Sequence, residues 1–170
     1  CNACKSARID VARHRPSRTQ AKILRRNADL SRSVQPAQCT TEHWALFDGY
    51  IRNRHGDSEM ALMTPDDLRM MIEQTTVDSG LLEWRDAEGS LRACMLFDAM
   101  ADGFSAVYSF FDTEDTRRSL GTFCILDAVE HLADLGLSKL YLGYWIEGSA
   151  TMDYKNRFSG VEVHDKGQWL

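Results

Sequence analysis

The sequence has no uncharged apolar run approaching the roughly 18 residues that read as a membrane-crossing helix, so no membrane-spanning role is expected. It has no signal-peptide pattern and begins at Cys1 rather than Met. From this we expect part of a longer protein with a cytoplasmic address. Internal repeats and low-complexity segments are also absent. Cysteine is sparse and odd in number, five at irregular spacing, which argues against a disulfide framework. Cys94 and Cys124 lie in apolar segments, as small buried hydrophobes do. Cys39 sits in a polar stretch. Only Cys1 and Cys4 form a close pair, C-x2-C, which suggests a metal or redox site whose other ligands lie upstream. Proline is scarcer still, and its three copies (Pro16, Pro36, Pro65) fall where helices start or linkers run.

What is present is enough chain, at 170 residues, for one well-buried domain with a small appendage. Net charge is −5, but its distribution is uneven: residues 1–32 carry a balance of +7 and the remainder −12. Such asymmetry marks either a polyanion-binding arm on an acidic body or a helix with a solvated basic face.

Patterning predicts a mixed α+β chain. Residues 7–11 alternate as a short strand. A helix follows Pro16 and reaches Leu30, with Arg18, Lys22, Arg25 and Arg26 clustered at helical spacing. Residues 31–39 read as a linker. They separate a 1–38 segment, the end of a cysteine-containing module with a basic helix, from a 39–170 domain. Thr40 or Thr41 caps a helix to about Arg54, stopped by a left-handed Gly56. Thr64-Pro65-Asp66-Asp67 starts another. Period two then takes over: a hairpin over 81–99 and a third strand over 104–111. Ser119 is placed to cap an amphipathic helix ended by Gly136, and a strand over 137–145 completes a strand–helix–strand unit.

That last strand leads into Tyr141–Phe158, YLGYWIEGSATMDYKNRF, where an apolar strand ends among hydroxyl, aromatic and cationic groups. Open α/β sheets place ligands at such strand ends, and Gly143 is expected to allow a close approach. Ser119-Leu120-Gly121-Thr122 opens the preceding helix, where unpaired amides favour an anion or a carbonyl. In the GNAT acyltransferase fold this position holds Arg/Gln-x-x-Gly-x-Gly/Ala for acetyl-coenzyme A. Here Phe123 replaces the last small residue, so a different acyl donor is expected.

With YLGYWI at 141–146, M-x-YK-x-RF at 152–158, SLGT at 119–122, RPSR at 15–18, LRRNADL at 24–30, Tyr50 with RHGD at 54–57, and YSFFD at 108–112, the chain resembles the aminoacyl-tRNA–protein transferases of the N-degron pathway. Among these it is most similar to the bacterial aspartate/glutamate leucyltransferases, with the arginyltransferases as sister family. The resemblance implies a GNAT-like fold with a mainly antiparallel sheet and flanking helices. It also implies transfer of leucine from Leu-tRNA to proteins beginning with Asp or Glu. Family members can hold an iron–sulfur cluster in an N-terminal module, to which Cys1 and Cys4 would contribute; transfer itself requires no cofactor. Two departures from the family pattern are Ser6 and Ser159, where proline is usual.

Such a reaction needs a cation for the acceptor carboxylate, a proton acceptor, and donors for a tetrahedral oxyanion. Candidates for the acceptor pocket are Arg54, Lys155 and Arg157, with Tyr154 as hydroxyl donor. Asp112 or His55 would relay the proton. Ser119 and the Gly121 backbone would hold the aminoacyl end, although Ser119 also suits a simple helix cap. Tyr144 and Trp145 would stack on the terminal adenosine, and Arg18, Lys22, Arg25 and Arg26 would meet tRNA phosphates. Glu147 and Asp153 are available to an arginyl pocket. The competing readings are a coenzyme-A-dependent N-acetyltransferase and a non-catalytic domain that binds acidic N-termini.

Overall fold

Residues 4–170 are described by the structure, a computed structural model. In chain order the elements are β1 (Lys5–Asp10), α1 (Arg18–Arg26), β2 (Ser31–Pro36), α2 (Thr41–His55), α3 (Pro65–Glu73), β3 (Ser79–Arg85), β4 (Leu91–Met100), β5 (Gly103–Phe111), α4 (Leu120–Asp134), β6 (Lys139–Trp145), β7 (Val161–Asp165) and β8 (Gln168–Trp169). Short 3₁₀ turns occupy Glu59–Leu62, Thr116–Arg118 and Asp153–Arg157.

Local sequence sets where the first three helices begin. Ser17 with Gln20, Thr40 with His43 and Thr64 with Asp67 form reciprocal capping boxes, each satisfying amides that the helix itself cannot. The strands join in the order β2-β3-β4-β5-β6-β1-β7-β8. Every neighbouring pair is antiparallel except β5 and β6, which α4 connects as a parallel crossover.

Helices cover both faces, so the central strands are buried on both sides. Leu81, Leu96 and Phe110 face Phe47 and Ile51 of α2 and Leu68 and Ile72 of α3. Leu82, Trp84 and Met95 face Phe123, Leu126 and Val129 of α4, with Ile23 of α1. Burying a side chain of this size stabilises by about 2–3 kcal/mol. One polar tie crosses the second layer: Asp127 on α4 accepts from Trp84 Nε1 at 2.6 Å and from Arg32 Nη1 at 2.7 Å.

The site arises where the sheet splits. β5 and β6 pair only over Gly103–Ser105 with Lys139–Tyr141. A Cβ on Gly103 would lie 1.7 Å from the Lys139 carbonyl oxygen, so only glycine lets the strands meet there. Beyond that point both strands bulge away. Val107 is the extra residue on β5, and Leu142 the extra one on β6. Gly143 completes the second bulge at φ 73°, a conformation that side chains rarely adopt. A Cβ there would meet nothing within 4 Å, so it is the backbone turn, and not the close approach of another part of the chain, that calls for glycine.

Three further expectations are corrected. The 31–39 stretch is not simply a linker: residues 31–36 form β2, an edge strand paired along its length with β3. Residues on both sides of the expected boundary at 38/39 therefore share one sheet, β1 lying between β6 and β7. The basic helix ends at Arg26 rather than Leu30, where the buried Asn27 side chain donates to the Ile23 and Arg118 carbonyls. Gly56 is right-handed (φ −55°), not a left-handed stop. Ser159 uses its hydroxyl to join the backbone of Arg15, accepting from its amide and donating to its carbonyl.

Candidate active site

A cavity of about 700 Å³ opens between the diverging ends of β5 and β6. The C-terminal end of α2 forms one wall, the first turn of α4 another, and Tyr154 of the 153–157 turn a third. Its floor is apolar, made by Met95, Ala106, Ile125 and Leu142.

The α4 wall is built for a negatively polarised atom. Leu120, Gly121 and Thr122 line the cavity at the start of a 15-residue helix, where first-turn amides lack intrahelical acceptors and the dipole is positive. Ser119 precedes them in the left-handed region (φ 50°, ψ 47°), and its side chain makes no capping hydrogen bond. A non-glycine residue held there costs about 1–3 kcal/mol and persists only where surroundings impose it. The hydroxyl is thus not occupied as a cap. Gly121 has a second reason to be glycine, since a Cβ would stand 3.0 Å from the Phe111 ring.

The α2 wall carries the positive charge. Arg54 lines the cavity with its guanidinium 5.5 Å from the Phe111 centroid. It has no ion-pair or hydrogen-bond partner among the described residues, so it does not cap its own helix. His55 also lines the cavity, its ring 5.6 Å from that of Tyr50. Burial raises the Tyr154 phenol above its ordinary pKa, so it stays protonated. Asp112 is at the rim but engaged: it accepts from Arg92 and, at 2.8 Å, from the Glu114 amide.

Arg54, His55, Tyr154, Asp112, Ser119 and Gly121 therefore come together from four separated segments. Lys155 does not join them. It is 6% exposed, donates to the Tyr144 carbonyl, and burial lowers its pKa. It fastens the 153–157 turn to the end of β6. Arg157 is outside the cavity, its carbonyl accepting from Gln20 Nε2 at 2.9 Å. Tyr144 and Trp145 are also outside: bulging at Leu142 turns Tyr144 to solvent, 64% exposed, and leaves Trp145 half-buried. Glu147 and Asp153 do not line the cavity either. Phe123, expected to block a pyrophosphate, is buried against Trp84 at 6.2 Å between centroids and cannot block anything in the cavity.

The residues that sequence reasoning left without a role are the apolar floor and Tyr50. Tyr50 stands four positions before Arg54, the spacing of one helix face, and that signal was available.

Arg18, Lys22, Arg25 and Arg26 are exposed and form no ion pairs among the described residues. Arg26 donates to the Arg117 carbonyl, which sets α1 beside the 116–118 turn whose Thr116 lines the cavity. Cys1 lies outside the described residues. Cys4 is exposed, and no three His, Cys, Asp or Glu side chains gather as metal ligands among the described residues. A cluster needs four ligands, which these residues do not supply.

Residues 42–165 match the family model described as arginine-tRNA-protein transferase, C terminus. The chain belongs to this family. An aspartate/glutamate leucyltransferase of Gluconacetobacter diazotrophicus is 46% identical over 99% of the chain and 65% of that relative. One from Nitrobacter hamburgensis is 44% identical over 100% of the chain and 69% of the relative. The chain thus spans about two thirds of the length of these curated relatives. Among solved structures, L-PGS from Bacillus licheniformis superposes with a TM-score of 0.63 at 10% identity, covering 86% of this chain and 46% of that one. A GCN5-related glucosamine N-acetyltransferase region of a fungal enzyme does so at 0.56 and 12%, over 95% and 20%. The fold is GNAT-like.

Proposed function

We propose that the chain carries the acyl-transfer domain of a cytoplasmic leucyl-tRNA–protein transferase, acting on proteins that begin with Asp or Glu and marking them for N-degron proteolysis. The observation that carries this reading is one cavity with three surfaces: an apolar floor, the open first turn of α4, and the unpaired Arg54. The aminoacyl ester would enter with its leucyl side chain on the floor of Met95, Ile125 and Leu142. The carboxylates at the rim, Asp112 and Asp115, are already paired with Arg92 and Arg117. An arginyl side chain would find no unpaired carboxylate on this floor, which favours leucine.

The acceptor's carboxylate would pair with Arg54, a guanidinium fork suited to it. This places its α-amino nitrogen toward the ester. The ammonium loses one proton, for which His55 is the accessible base. The nitrogen then attacks the carbonyl carbon, and the oxyanion is met by the α4 amides. When this tetrahedral intermediate collapses, the C–O bond to the terminal ribose breaks, and the ribose oxygen leaves with the second proton lost by the nitrogen. The ester is already activated, so the domain's contribution is position and charge, without a cofactor. The exposed cations of α1 lead tRNA phosphates toward the cavity mouth.

The test is transfer from labelled Leu-tRNA and, separately, Arg-tRNA to a peptide beginning with Asp and to one beginning with Ala. Leucine on the Asp peptide alone is expected. Arginine transfer would move the protein to the sister activity. Binding of the Asp peptide without transfer from either tRNA would leave only a recognition module.

A further inference from the structure

We propose that Tyr50 is the second arm of the acceptor clamp, its phenolic hydroxyl binding the same carboxylate as Arg54. This rests on the acceptor-side reading above and assigns it a residue that the reaction does not otherwise need.

Both side chains leave one face of α2, four residues apart, and both line the cavity. Both also sit on one platform. The Phe111 ring lies 4.8 Å from the Tyr50 ring and 5.5 Å from the Arg54 guanidinium. Edge contacts to Tyr108 at 6.5 Å and His55 at 5.6 Å hold the Tyr50 ring from two further sides. A phenol fixed in this way loses little rotamer freedom when it binds.

Its hydroxyl has no hydrogen-bond partner among the described residues, although the ring is well packed. Burial raises its pKa, with Arg54 acting in the opposite sense, so it remains a donor at neutral pH. A carboxylate has about four acceptor positions. A bidentate guanidinium takes two, and a phenol approaching from four residues earlier on the helix can take a third. Tyr154 comes from the 153–157 turn and makes no ring contact with Phe111 among the described residues.

The experiment compares wild type with Tyr50→Phe, which keeps the ring and its packing. Steady-state transfer of leucine is measured to Asp and Ala peptides, alongside binding of each peptide without tRNA. A hydrogen bond to a charged group is worth a factor of roughly ten or more. We expect KM for the Asp peptide to rise by about that factor, kcat to change less than about twofold, and the Asp-over-Ala preference to fall in proportion. Loss of rate on both peptides alike, or an unchanged preference, overturns the clamp. If wild type binds the Asp peptide through Tyr50 but transfers nothing, the clamp stands and the proposed activity fails. If Tyr50→Phe transfers with full preference, the activity stands and the clamp fails.

Discussion

Two groups of cations in this molecule are held in opposite ways. On β1, β6 and β7, Arg8 and Lys139 share Glu162, and Lys139 also reaches Asp10 at 2.8 Å. Arg8 further lies 3.9 Å over the Trp169 ring. Every charge there is answered from within the chain. On the cavity wall Arg54 rests on Phe111 and is answered by nothing described. Desolvated charges need partners, so the first group serves the fold. A cation with a shaped surround and no partner is one whose partner arrives with the substrate. Arg54→Ala should therefore lower kcat/KM for an Asp peptide by roughly thirtyfold or more and leave the melting temperature nearly unchanged. Initial rates and a thermal melt check this. A large drop in melting temperature with unchanged rate would reverse the roles.

Glu162→Gln is the mirror experiment. It leaves Arg8 without its carboxylate and Lys139 with Asp10 alone, at a cost of about 3 kcal/mol, which lowers the melting temperature by about 6–12 °C for a chain of this size. Activity per folded molecule should not change. The pH dependence has a definite sign. Burial tends to raise the Glu162 pKa, but hydrogen bonds from Arg8 and Lys139 outweigh it, so the folded-state value is lowered. Asp10 is lowered by Lys139 in the same way. Their stabilisation is complete above the ordinary carboxylate range and is lost as pH falls through the depressed values. Chemical denaturation across that acidic window should show a steeper loss for wild type than for Glu162→Gln. Equal slopes would mean that the network contributes no linkage.

The same contrast explains what could be read from sequence. Helix starts at Ser17, Thr40 and Thr64 depend on residues three apart, and β3 to β5 are apolar segments joined by the short turns at 86–90 and 101–102, so both were legible. β2 was not, because SRSVQP has no apolar period and its only partner, 80–85, is about fifty residues away. The β7–β8 hairpin has a readable turn, Lys166-Gly167, with φ 47° and 83°, the pattern of a type I′ hairpin, yet the strands it joins are too short to show a period of their own. Of the candidate residues, those of four segments line one cavity, whereas Lys155, Arg157, Tyr144 and Trp145, singled out by adjacency in sequence, lie outside it. A 3₁₀ turn advances about 120° per residue, so Lys155 turns inward beside Tyr154, which lines the cavity. The β6 bulge does the same to Tyr144.

A smaller effect belongs to the exposed cations of α1, which face solvent as Arg54 does but without a shaped surround. Substituting Arg25 and Arg26 together by Gln should raise KM for Leu-tRNA several-fold and reduce the salt slope of binding by roughly one for each phosphate no longer neutralised. Peptide KM should stay as it was. An unchanged salt slope would remove these residues from the tRNA path.

The smallest effect, at Ser119, asks whether strain or a hydroxyl is the useful feature on the other wall. Its side chain caps nothing, so Ser119→Ala should not incur the loss of about 1 kcal/mol expected at Ser17, where the cap bond exists. Alanine keeps the left-handed strain and removes the hydroxyl. Glycine removes both and, with relief of strain offset by greater unfolded-state freedom, should alter stability by less than about 1 kcal/mol. If the hydroxyl holds the aminoacyl end, both variants slow leucine transfer several-fold and to the same extent. If only the backbone turn that presents the α4 amides is needed, glycine retains the wild-type rate, and any loss in alanine follows from distortion of that turn. The ratio of the two single-turnover rates decides between them.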